Sequence, residues 1–114
     1  SKRAVAITKA ARKAMLAGIK VCRDGVDFRE IGKAIAQSAE EDGYTVHPTL
    51  SGHGIGSYFH GRPEIIPYVN DTEQGVMKAG MTFTVEPVLV DGQDKTVAVD
   101  EQDMWTLRTL QSAW

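Results

Sequence analysis

Gly80-Met81-Thr82-Phe83-Thr84-Val85-Glu86-Pro87 is the stretch on which the reading of this chain turns. Met81, Phe83 and Val85 alternate with Thr82, Thr84 and Glu86. That period of two predicts a strand with one apolar face and one face of hydroxyls and a carboxylate. Pro87 lacks an N–H for a ladder, so Glu86 is expected at a strand end or beside a bulge, where sites are often built. Val88 to Val90 continue the extended run beyond it. An acid inside a β-favouring run is costly unless something offsets its charge. A bound metal ion would do so, and exposure on the solvated face would do so equally well.

Upstream of this strand the periodicity is helical. From Val5 to Cys22 the residues Ile7, Ala11, Ala14, Met15, Gly18, Ile19 and Cys22 fall on one stripe, away from Lys9, Arg12, Lys13 and Lys20. The small residues Ala11, Ala14 and Gly18 predict close packing against whatever this helix covers. Arg23-Asp24-Gly25 turns the chain. Asp27 with Glu30 three residues on resembles a capping box that opens a second helix. Phe28, Ile31, Ile35 and Ala39 form its predicted buried face, and Gly43 stands where a C′ glycine ends a helix. Tyr44, Val46 and Pro48-Thr49-Leu50 read as extended, and 57–80 as loop with short extended pieces. Asp91-Gly92-Gln93-Asp94 reads as a turn, with Thr96–Val99 and Trp105–Leu110 as closing strands. Two helices followed by strands predict an α+β fold, with the helices on one face of an antiparallel sheet.

At 114 residues the chain is one domain at most, 1–114, and its 42% hydrophobic content is enough for a core. A formal net charge of −2, without a stripe of Lys and Arg, gives no reason to expect a nucleic-acid partner. No apolar run is long enough to span a bilayer, and there is no secretory n-region and h-region. Cys22 is the one cysteine, so no internal disulfide forms and a reducing compartment is expected; the residue itself reads as a small buried apolar group. The first residues are already close to helical periodicity, and the last lie in a strand-like run. Neither end reads as a natural boundary, which leaves a fragment, a processed product and an incomplete reading frame as the alternatives.

Three places suggest chemistry. Gly52-His53-Gly54-Ile55-Gly56 holds an imidazole close to the backbone with no neighbouring side chain to crowd it. Such a histidine is either a ligand for zinc, cobalt, manganese or iron, or a solvated turn residue. His60, in Tyr58-Phe59-His60-Gly61-Arg62-Pro63, is a second ligand, a proton shuttle, a donor to a reacting carbonyl, or an ordinary loop histidine. Glu86 is the third. His47 reads as structural or exposed. Asp91, Asp94, Asp100, Glu101 and Asp103 lack the offsets of a calcium loop and read as a solvated hairpin.

Together these motifs and their spacing closely resemble the second half of type I methionine aminopeptidases, the C-terminal part of the catalytic domain. Gly25-Val26-Asp27-Phe28-Arg29-Glu30-Ile31-Gly32 resembles the family's helix start, and the resemblance runs to about Thr109. Type II enzymes depart from Gly-Ile-Gly, and prolidase-like peptidases arrange these glycines and histidines differently. The resemblance implies a pita-bread half-domain, with two helices on a curved antiparallel sheet beside a dinuclear metal centre. It implies His53 and Glu86 as metal ligands, and His60 as a catalytic histidine that contacts substrate or its tetrahedral intermediate. It implies Phe59 and Trp105, with His60, as substrate-binding residues at a pocket for the methionine side chain. Two divalent ions (cobalt, manganese, iron or zinc) and hydrolysis of the first peptide bond of peptides or nascent proteins follow from it.

It also implies two aspartates and a histidine from a first half-domain, and a glutamate beyond Trp114. With two of five implied ligand residues present, one copy is not expected to complete a dinuclear site. The expected function is thus removal of the initiator methionine by a complete enzyme. The alternatives are a non-catalytic module that binds peptides or a partner chain, and an obligate complex in which a partner chain supplies the missing half; self-association is a further expectation. The cytoplasm is the expected compartment, with mitochondrion and plastid as alternatives.

Overall fold

The computed structural model of this chain describes residues 1–91, 97–99, 102 and 107–109. Helix α1 runs over Lys2–Lys20 and α2 over Arg29–Glu41. The Ser1 hydroxyl accepts the N–H of Ala4 at 3.2 Å, which satisfies an open donor and starts α1 at Lys2 rather than Val5. At the start of α2, Asp27 Oδ1 accepts the N–H of Arg29 at 2.8 Å. Phe28 rather than Asp27 holds the N-cap position and has no side-chain cap bond, so Asp27 stands one residue before the expected cap while still accepting a first-turn N–H. The Arg29 guanidinium also pairs with Asp27 Oδ2 at 2.8 Å. This side-chain bond, with the backbone one, lowers the Asp27 carboxyl from 3.8 to about 2. Gly43 ends α2 as predicted, at φ +82, with Gly43 N–H on Glu40 O and Tyr44 N–H on Ala39 O.

The two helices pack closely because small residues face Ile31 and Ile35. A Cβ at Gly18 would stand 2.8 Å from Cγ1 of Ile35. The buried line of α1 is Ala10, Ala14 and Gly18, spaced by four. Ile19, expected on the buried stripe, is instead 46% exposed. It follows Gly18 and so lies about 100° round the helix. The predicted face of α2 is buried throughout: Phe28, Ile31, Ile35 and Ala39 join Val46, Ile65, Met77 and Leu89 in one core.

Short strands follow the helices: β1 (Thr45–Val46), β2 (Gly52–Gly54), β3 (Gly61–Ile65) and β4 (Leu89–Val90), of which β1, β3 and β4 lie against the helices. β1 pairs antiparallel with β4, and β2 with β3. β5 (Val97–Val99) and β6 (Leu107–Thr109) pair antiparallel where the closing strands were expected. The fold is α+β with antiparallel pairing, here divided into three two-stranded ladders. The expected turn at Asp91–Asp94 lies outside the described residues after Asp91, which accepts an ion pair from Arg3 at 2.7 Å.

Two expectations need correction. Met81–Val85 is extended but is not a ladder strand. It meets β2 at a single bridge, Gly54 with Phe83, flanked by Ile55 N–H to Thr82 O at 3.2 Å and Thr84 N–H to His53 O at 2.8 Å. β2 is three residues long, and among the described residues no pair beyond Gly54–Phe83 joins the segment to it. Conversely, 57–80, read as loop with short extended pieces, holds a five-residue ladder strand, β3. Pro63 hid it, yet the pairs Gly54–Gly61, His53–Glu64 and Gly52–Ile65 leave Arg62 and Pro63 in a bulge, where a missing donor costs nothing. His47 is buried, its Nδ1 accepting the N–H of Thr49 at 3.1 Å, so the structural reading holds.

Candidate metal and peptide site

The site forms where β2, the Thr82–Glu86 segment and the Phe59-His60 loop meet. Glycines on either side of His53 allow this approach. A Cβ at Gly52 would overlap the carbonyl oxygen of Thr84, and one at Gly54 would overlap that of Arg62. Neither glycine has a positive φ, so their role is contact distance rather than a turn. On the other face of the segment, Phe83 stacks edge-on against Phe28, with ring centroids 5.5 Å apart. This anchors the segment to the core and turns Thr82, Thr84 and Glu86 towards β2. The Thr82 hydroxyl donates to the Ile55 carbonyl. Met81, which the alternation put on the apolar face, is 45% exposed.

His53 is 14% exposed in its side chain and Glu86 43%, and Nε2 of His53 lies 3.2 Å from Oε1 of Glu86. Nδ1 of His53 stands 3.1 Å from the carbonyl of Gly54. A carbonyl can only accept, so Nδ1 carries the proton in that contact, which leaves Nε2 to face the carboxylate. Such a pair needs a shared positive charge, either a proton on Nε2 or a cation. Two donors on one divalent ion, with bonds of about 2.0–2.2 Å, stand roughly 3 Å apart. The His53–Glu86 spacing fits that requirement. Among the described residues no group of three or more His, Cys, Asp and Glu side chains is arranged to hold a metal ion, so the pair fits as part of a ligand set.

His60 and Phe59 close the site. The His60 ring centroid is 4.4 Å from that of His53 and 4.2 Å from that of Phe59, while Phe59 itself is 71% exposed. Four of the five residues picked out by sequence, His53, His60, Glu86 and Phe59, are thus brought together. Trp105 lies outside the described residues. Thr84 was not picked out, yet its hydroxyl contacts both His53 and Glu86. The signal was its place two residues before Glu86 on the same face of an alternating run.

The sequence model of metallopeptidase family M24 matches residues 1–107. The chain belongs to this family. It is 44% identical over 103 residues to the chloroplastic methionine aminopeptidase 1B of Arabidopsis thaliana, covering 90% of this chain and 27% of the relative. It is 38% identical over 104 residues to the mitochondrial methionine aminopeptidase 1D of Homo sapiens, covering 91% of this chain and 30% of the relative. The crystal structure of the methionine aminopeptidase from Thermotoga maritima superimposes with a TM-score of 0.86 at 29% identity, over 96% of this chain and 43% of the other. The type I methionine aminopeptidase resemblance and the pita-bread half-domain are therefore sound, and family M24 implies use of divalent metal. The chain spans well under half the length of these relatives. Among the described residues no helix is long and apolar enough to cross a membrane.

Proposed function

We propose that residues 1–114 form one part of the catalytic domain of a metal-dependent aminopeptidase that removes the initiator methionine from peptides and nascent proteins. The carrying observation is the juxtaposition of His53 Nε2 and Glu86 Oε1 at 3.2 Å, with His60 and Phe59 beside them. In this reading His53 and Glu86 hold divalent metal (cobalt, manganese, iron or zinc), with two ions in the complete enzyme. When bound, the metal supplies Lewis acidity at the scissile carbonyl and a more acidic water for attack. His60, on the open side of His53, donates an imidazole N–H to the oxygen that becomes negative as the peptide carbon turns tetrahedral. Phe59, with Trp105, offers an aromatic wall to the methionine thioether, a contact that sulfur and ring edges favour. A reducing compartment suits the lone Cys22, the cytoplasm in the first instance, with mitochondrion or plastid as the alternatives that the relatives' names raise.

A second reading covers these residues by themselves. Because no third side chain among the described residues is arranged with His53 and Glu86 to hold a metal ion, we propose peptide binding without turnover for this stretch alone. Hydrolysis is assigned to a longer polypeptide, or to a complex with a partner chain, that brings the remaining ligands. Calorimetric titration of the 114-residue chain with manganese or cobalt tests the assignment. The expected result is weak binding that His53→Ala and Glu86→Gln each abolish. Binding that neither substitution changes would overturn it.

A further inference from the structure

The Thr84 hydroxyl accepts the backbone N–H of His53 at 2.9 Å and stands 2.8 Å from Oε1 of Glu86, to which it donates. It also stands 3.4 Å from the His53 carbonyl. A hydroxyl has one proton, and it goes to the nearer, charged acceptor, because charge-assisted bonds are the shorter and stronger ones. That carbonyl already accepts the Thr84 N–H at 2.8 Å, so it is not left unpaired when the hydroxyl proton goes to Glu86. One oxygen thus sets the backbone position of His53 and the rotation of the Glu86 carboxylate together. Threonine suits this task better than serine because its branched Cβ restricts the first side-chain torsion, which aims the hydroxyl.

We infer that Thr84 is a positioning residue that holds Glu86 Oε1 at metal-sharing distance from His53 Nε2. This rests on the reading of His53 and Glu86 as metal ligands. Without the Thr84 hydroxyl, the Glu86 side chain, which is 43% exposed, has only His53 to orient it and swings into solvent. Groups that orient metal ligands from behind commonly change metal affinity by about 10–100-fold when they are removed.

The test compares Thr84→Val, which keeps the shape and removes the hydroxyl, with Thr84→Ser, which keeps the hydroxyl. Each chain is titrated with manganese alone, and its fold is checked by amide NMR. Thr84→Val is expected to bind at least about tenfold more weakly with its amide spectrum preserved outside the site, and Thr84→Ser within about threefold of the parent. Affinity in Thr84→Val equal to the parent would overturn the role of Thr84, while His53→Ala and Glu86→Gln, if still defective, would leave the ligand reading standing. Parent-like affinity in all of them, or no binding by the parent, would bring down both. Should Thr84→Val not fold, the hydroxyl proton of Thr84 in the parent decides. Protection from exchange and a cross-peak to the His53 amide are expected, and exchange at the solvent rate would overturn the inference.

Discussion

Nε2 of His53 and Oε1 of Glu86 are 3.2 Å apart, and they meet through side chains alone on two segments clipped together at Thr84. The contact is half open to water, so its worth to the fold is small while its worth to a bound cation is large. Glu86→Gln in the 114-residue chain is expected to cost no more than about 1 kcal/mol, measured by urea unfolding. In a polypeptide carrying the full set of ligands, the same substitution is expected to lower hydrolysis of a Met-Ala-Ser peptide by more than about a hundredfold, beyond what loss of a supporting group does. Full activity there would mean that Glu86 is only a solvated residue of the segment.

Gly52→Ala is expected to be worse than its chemistry suggests. The added methyl would overlap the Thr84 carbonyl, a backbone atom that cannot rotate away. The Thr82–Glu86 segment must then shift off β2, at a cost of about 1–3 kcal/mol. Thermal unfolding should register this, and the amide signals of His53 and Thr84 should move most. An unchanged midpoint would contradict the close approach.

Ile35→Ala and Ile19→Ala test which face of α1 is covered. Ile35 is fully buried against Gly18, and its truncation is expected to cost about 2–5 kcal/mol. Ile19 is 46% exposed, and its truncation should stay within about 0.5 kcal/mol. Comparable losses would restore the stripe read from periodicity.

Asp27 gives the fold an acid limit. Its carboxyl is lowered to about 2 by the bonds from Arg29, and the Arg29 guanidinium is raised in turn by Asp27. A depressed carboxylate stabilises the fold fully above its unfolded value near 3.8. That contribution declines as the pH drops below this value and is gone once the pH has fallen through about 2. Asp27→Asn should flatten the stability curve across that window, as followed by circular dichroism, and leave it unchanged near neutrality apart from a constant offset.

Much of this protein is legible in its sequence because the signals are local. Helix periodicity, the Gly43 stop and the buried face of α2 depend on residues three and four apart; the last two stand where they were read, while α1 begins earlier and leaves Ile19 off its buried line. The motifs around His53, His60 and Glu86 were likewise sufficient to indicate the family. What they left open was decided by tertiary contact. Alternation marked Met81–Val85 as a strand, but a ladder needs a partner along its length, and among the described residues the three-residue β2 meets it at the Gly54–Phe83 bridge alone. Pro63 argued against β3, but a bulge removed the objection. The glycines beside His53 are needed because two backbones press against them from opposite sides, Thr84 and Arg62, both distant in sequence. Thr84 itself looked like any strand threonine. Its hydroxyl matters because folding brings the N–H of His53 and the carboxylate of Glu86 within reach of one oxygen, and hydrogen bonds depend on distances that sequence spacing does not encode.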